Sequence, residues 1–112
     1  MQVLSSKAGD TVVLRVTGRL DGNTAPAFDD ECTRAIAEDQ KRAVLDCESL
    51  EYISSAGLRS ILALAKTLQG RGGSLAVCGL KGIVAEVFEI SGFSNMLPVF
   101  GDVEEALAAG KD

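Results

Sequence analysis

The chain has 112 residues, of which 46% are hydrophobic and 24% charged. That is room for one domain, is too apolar for a disordered segment and too mixed for a fibre. Sixteen acidic against eleven basic residues give a net charge of −5, spread along the chain as solvated faces, so little positive charge is available for a nucleic-acid backbone.

Val3 and Leu4 open a first strand, Ala8-Gly9-Asp10 offers a turn, and Val12 to Thr17 forms a β-branched second strand with Val12, Leu14 and Val16 on one face. A β-hairpin follows from this pattern. After Gly18, the stretch from Arg19 to Thr24 has loop chemistry, and Pro26 suits the first turn of a helix. Phe28, Cys32, Ala35 and Ile36 mark that helix's apolar face, and Asp29, Asp30 and Glu31 are placed in its early turns, where the macrodipole favours carboxylates.

Ala43-Val44-Leu45-Asp46-Cys47 is an apolar block expected of an interior strand, and it leads toward Ser54-Ser55-Ala56-Gly57. Ser55 is placed to cap a helix beginning near Ala56, with Leu58, Ile61, Leu62, Ala65 and Leu68 at helical spacing until Gly70 and with Arg59, Lys66 and Gln69 on the other side. Gly72-Gly73 turns the chain, and Leu75 to Cys78 is a further buried strand. Ile83, Val87 and Ile90 mark a third helix that ends at Gly92.

Met96 to Phe100 is a last strand candidate that Pro98 confines to an edge or a short pairing. Asp102 and Glu105 form a capping-box-like start to a final helix through Leu107 and Ala108. The predicted order is ββαβαβαβα: one α/β domain over residues 1–112, with a mixed β-sheet and about four helices. Right-handed crossovers make its later strands parallel.

The chain contains no histidine, which removes Ser-His-Asp and Cys-His sites and the commonest metal ligand. Cys32, Cys47 and Cys78 are odd in number and far apart, so buried reduced thiols are expected rather than a zinc site or disulfide framework. No cofactor is indicated. The N-terminus lacks a signal-peptide core, and no apolar run approaches the roughly 18 residues of a membrane span, so a soluble, cytoplasmic protein without membrane insertion is expected. Nothing in the sequence demands more than a monomer.

The Ser54–Gly57 junction lies where open α/β sheets place function. Taken as residues alone, Ser55 reads first as an N-cap worth about 1 kcal/mol. Its functional reading is phosphorylation, since a phosphoserine at a helix N-terminus meets unpaired amides and the positive dipole end. A small enzyme with Ser54 or Ser55 as nucleophile would need a lysine or carboxylate base.

Three stretches, Val12–Thr24 (VVLRVTGRLDGNT), Ala43–Arg59 (AVLDCESLEYISSAGLR) and Gly72–Gly79 (GGSLAVCG), resemble the STAS-domain anti-sigma factor antagonists of bacteria. The resemblance spans nearly the whole chain, and the middle stretch is its most specific part. It implies that Ser55 accepts phosphate from a serine-kinase-type anti-sigma factor. It further implies that the unphosphorylated form binds that kinase, that the phosphorylated form is released, and that a protein phosphatase restores the unmodified form, a cycle called partner switching.

The commoner family pattern has aspartate at the position of Ser54, serine or threonine at Ala56 and glycine at Arg59, so Ser54 is a second candidate acceptor. Arg59 is placed to pair with a phosphate or a partner carboxylate, and is equally a solvated helix residue. Asp21 matches the family's acidic loop position beside the phosphoacceptor. Asn23 and Thr24 accompany it, and either suits the cap of the first helix. The expected partner surface is therefore Asp21, Asn23, Thr24, Ser54, Ser55, Ala56, Gly57 and Arg59. The alternative is a non-switching STAS subunit of a larger complex, such as a lipid-transport ATPase.

Overall fold

In the computed structural model, which describes residues 1–109, the opening hairpin forms as its alternation dictates. Strand β1 (Gln2–Ala8) pairs antiparallel with β2 (Thr11–Leu20), and Val12, Leu14 and Val16 are buried on one face. The hairpin fixes one edge of the sheet. Residues 110–112, the end of the expected domain span, lie outside the described residues.

The remaining elements are α1 (Ala25–Ala35), β3 (Arg42–Asp46), β4 (Leu50–Ile53), α2 (Ser55–Gly70), β5 (Ser74–Cys78), α3 (Gly82–Ile90), a 3₁₀ turn (Phe93–Asn95), β6 (Val99–Phe100) and α4 (Val103–Ala109). The sheet runs β1-β2-β3-β5-β6, with every pair after the hairpin parallel, and β4 pairs with the far end of β2. This is the expected mixed α/β fold with one strand more than the sequence pattern indicated. β4 fills what read as the run-in to α2, so the order becomes ββαββαβαβα.

β2 is also longer than its β-branched stretch. Gly18 takes φ +86°, a left-handed conformation that favours glycine, and the pairing of β2 with β4 shifts register between Gly18 and Arg19. The bend lets one strand serve two partners, β3 along its first half and β4 along its last three residues. Arg19 and Leu20 thereby belong to the strand and not to the loop.

Helices α1, α2 and α3 cover one face of the sheet, over a core that includes Phe28, Leu45, Ile61, Leu75, Val77 and Phe88. The other face is covered only in part, by α4, which packs Ala106, Val103 and Leu107 on Val44, Cys78 and Phe100. α4 is capped as its sequence suggested: the Glu105 N–H donates to Asp102 Oδ1 at 2.9 Å, and Glu105 Oε2 accepts from the Gly101 N–H at 2.9 Å. On the uncovered part of that face Arg15 Nε donates to the buried carboxylate of Asp46 at 3.3 Å.

Two helices show placements that spacing alone did not give. In α3 the buried residues are Val84 and Phe88, while Ile83 and Ile90, whose spacing marked the helix, are 51% and 87% exposed. In α1, which starts at Ala25, the first turn holds no acidic residue; Asp29 and Asp30 lie beyond it, exposed, where the dipole's influence has faded.

All three cysteines are buried free thiols. Burial, with smaller contributions from Asp29 and Glu31, pushes Cys32 from the ordinary 9.0 up to about 12. Burial also pushes Cys78 up to about 12, assisted by Asp46, Asp102 and Glu48, and raises Cys47 as well, assisted by Cys78 and Asp46. A thiol pKa raised by folding gives stability that is complete below about pH 9 and is lost as pH rises toward 12, because the unfolded chain ionises first. Urea melts between pH 9.5 and 11.5 should therefore show a steep loss of stability, and Cys32→Ala should reduce that slope by about 1.4 kcal/mol per pH unit. An unchanged slope in Cys32→Ala would contradict the assignment.

Candidate functional site at the start of α2

β2 and β4 end side by side, Leu20 opposite Ile53, and the chain passes from Ile53 through Ser54 directly into α2. The Ser54 N–H donates to the Leu20 carbonyl at 2.9 Å, which ties the start of α2 to the end of β2. Gly57, in the helix's first turn, sits so close to this junction that a Cβ would lie 2.7 Å from the Leu20 carbonyl oxygen and 2.8 Å from Ile53 Cγ1. Only a residue without a side chain fits.

The cap is Ser54 and not Ser55. Ser54 is extended, its Oγ accepts from the Gly57 N–H at 3.4 Å, and its carbonyl accepts from Leu58 N–H at 2.9 Å. Ser55 is the first helical residue and is exposed. It stands at the helix N-terminus, whose first amides have no intrahelical acceptor. Ala56 is half-buried, and Arg59 is exposed one turn further along the same helix face as Ser55.

The loop after β2 begins at the residue that anchors Ser54, so Asp21, Asn23 and Thr24 are brought to the same end of the sheet. Asp21 has a structural duty that its sequence context did not reveal. Its Oδ1 accepts from Asn23 N–H at 3.0 Å and Thr24 N–H at 3.2 Å, and its carbonyl accepts from Ala25 N–H at 2.8 Å. These bonds satisfy the amides that open α1. Thr24 holds the N-cap position without a capping bond of its own; its Oγ1 accepts from the Asp21 N–H and donates to the Arg19 carbonyl, both at 2.9 Å. Asn23 is exposed, and its side chain makes no bond within the loop.

Two contacts at this end were not visible in the sequence. The Arg19 guanidinium stacks 4.2 Å from the centre of the Tyr52 ring and lies 3.9 Å from Asp21 Oδ2, bracing the loop against β4. On the other side of β4, α3 packs against the strand and presents Ile83 and Ile90 outward, with exposed Met96 just beyond the helix. A cation–π pair formed across a strand pairing can be found only once that pairing is known. Among the described residues no group of three potential ligands could hold a metal ion, and no helix is long and apolar enough to cross a membrane.

A six-stranded mixed sheet with a serine-capped helix starting beside the β2 loop is the arrangement of a STAS domain, and the STAS domain model matches residues 3–106. The chain belongs to the STAS family, on the branch of the anti-sigma factor antagonists. A Bordetella bronchiseptica protein named as an anti-sigma factor antagonist, BtrV, is 39% identical over 111 residues, covering 99% of this chain and 96% of the relative. The anti-sigma F factor antagonist of Paenibacillus polymyxa is 29% identical over 97 residues, covering 86% of this chain and 83% of the relative. Among solved structures, an anti-sigma factor antagonist from Mycobacterium paratuberculosis superposes with a TM-score of 0.88 at 24% identity, covering 99% of this chain and 94% of that one. The Bacillus cell fate determinant SpoIIAA in its phosphorylated form superposes at 0.74 with 20% identity, covering 98% and 100%.

The two serines and Gly57 have separable structural duties. Ser54→Ala should cost about 1 kcal/mol through the lost cap, while Ser55→Ala, at an exposed position, should change stability by less than about 0.5 kcal/mol. Gly57→Ala gains helix propensity yet forces a methyl against backbone, for a net loss of about 1–3 kcal/mol. Chemical denaturation of the three variants tests this order; equal losses for both serines would reject the assignment of the cap.

Proposed function

We propose that this protein is a cytoplasmic anti-sigma factor antagonist that works by partner switching, with Ser55 as its phosphoacceptor. The observation that carries the reading is the separation of tasks at the start of α2: Ser54 caps the helix, which leaves the exposed Ser55 hydroxyl free for modification. The names of the relatives support the antagonist role, and the absence of histidine from a site built of backbone amides and hydroxyls supports regulation over catalysis.

In the proposed cycle the unmodified protein, a monomer, binds a serine-kinase-type anti-sigma factor through Asp21, Asn23, Thr24, Ser54, Ser55, Ala56, Gly57 and Arg59. Phosphate on Ser55 adds about −1.5 to −2 charges at a helix N-terminus, which tolerates them. The partner surface does not. A dianion that must be desolvated or repelled there costs a few kcal/mol, enough to weaken binding by orders of magnitude. Arg59, one turn away, is placed to pair with that phosphate. A protein phosphatase then regenerates the binding form. The exposed Ile83 and Ile90 of α3, which packs on β4, offer further apolar surface to a protein partner.

Fragmentation mass spectrometry of the protein recovered from its native cells, with phosphatases blocked during lysis, should find phosphate on Ser55. Phosphate on Ser54 alone would move the acceptor, and none under any growth condition would favour a permanent subunit of a larger complex such as a lipid-transport ATPase. With the purified kinase partner, Ser55→Ala should bind as tightly as the native chain and resist release by ATP. Ser55→Asp should bind at least tenfold more weakly.

A further inference from the structure

Away from the start of α2, a groove of about 450 Å³ runs between α1 and α2. That volume lies within the range of clefts that hold small molecules. Its floor is apolar, formed by Phe28, Cys32, Ile36, Leu64 and Leu68. The Cys32 thiol in that floor stays protonated up to about pH 12, so it adds no charge.

One polar group in this groove is unaccounted for. Ser60 projects from the middle of α2 into the groove, is only 8% exposed, and makes no hydrogen bond to any described residue. The other hydroxyls of the same groove behave differently: Thr33 donates to the Asp29 carbonyl at 2.9 Å and Thr67 to the Ala63 carbonyl at 3.0 Å, each satisfied by the preceding turn of its own helix. Ser60 does not make the same bond, which leaves its hydroxyl available to a molecule seated in the groove. No fully sealed side-chain polar atom among the described residues lacks a partner, so the Ser60 hydroxyl must retain access to the groove itself.

We propose that the α1–α2 groove is a binding site for a small uncharged amphiphile, with an apolar body on the Phe28–Ile36–Leu64–Leu68 floor and one hydroxyl or carbonyl group bonded to Ser60. The rim decides against an ion. Asp29 and Glu38 face an anion unfavourably, while Arg71, which approaches the groove from the end of α2, already donates to the carbonyls of Ala37 and Gln40, both at 3.0 Å. Mixed charge at the rim leaves burial of apolar surface and the single hydrogen bond as the terms that select a ligand. The site is independent of phosphorylation at Ser55.

The test uses benzyl alcohol and toluene as probes, which differ by the group Ser60 would bind, in amide NMR titrations of the full chain. Both probes should shift amides of residues 28–38 and 60–71 and leave those of β1 and α4 unmoved. Ser60→Ala should weaken benzyl alcohol binding roughly threefold to tenfold and leave toluene unchanged. Ala63→Phe, at an exposed position on the rim, should fill the groove and abolish both titrations. Shifts scattered over the surface, equal losses for both probes in Ser60→Ala, or binding that survives a folded Ala63→Phe would each overturn the proposal.

Discussion

The geometry of the functional end depends on the contact between Gly57 and the Leu20 carbonyl. With no Cβ at position 57, the first turn of α2 settles onto the end of β2 closely enough for Ser54 N–H to reach the same carbonyl. That single seat fixes three things at once: the start of α2, the end of β2, and the origin of the loop that follows it. Asp21 then holds the loop by taking the amides of Asn23 and Thr24 with its side chain and that of Ala25, the first of α1, with its carbonyl, and Arg19 braces it against Tyr52. Strand ends in an open α/β sheet are natural places for function, but here their positions relative to one another come from a glycine.

Much of this was legible in the sequence because its causes are local. The hairpin follows from β-branched alternation, α2 from regular apolar spacing between a serine and a glycine, and α4 from its capping box. β4 was not legible. Its four residues, Leu50 to Ile53, are too few for a period to be recognised, and no proline or glycine separates them from β3. What makes them a strand is the bend at Gly18, which turns the last residues of β2 toward a second partner. A register shift in one strand thus creates another strand thirty residues away, and no window of sequence contains that information.

The buried face of α3 was not legible for a different reason. Its sequence, GIVAEVFEI, is apolar on more than one side, so Ile83, Val87 and Ile90 share a face just as Val84 and Phe88 do. Periodicity identifies a stripe but cannot say which of two stripes is buried. The structure chooses the one that carries the larger ring: Phe88 packs edge-on against Phe93 at 5.8 Å, and the isoleucines remain in solvent. The structural duty of Asp21 was hidden for a further reason. Its side-chain bonds reach only two and three residues ahead, an arrangement that Asp-Gly-Asn-Thr permits but does not compel.

The adjacency of Ser54 and Ser55 has a consequence for how a switch could work without loss of the fold. A serine that both caps its helix and accepts phosphate would exchange one hydrogen-bonding geometry for another at each modification, with about 1 kcal/mol of stability at stake each time. Here the capping bond belongs to Ser54, and the anchoring bond to Leu20 is made by a backbone amide that no side-chain modification touches. Charge added at Ser55 would meet the positive end of α2 from outside this network. Under the proposed reading, phosphorylation would therefore act almost wholly on the partner interface and hardly on the domain. The same separation explains why the helix can tolerate glycine, a poor helix former, in its first turn: Ser54 supplies from outside the helix part of the stability that Gly57 forgoes.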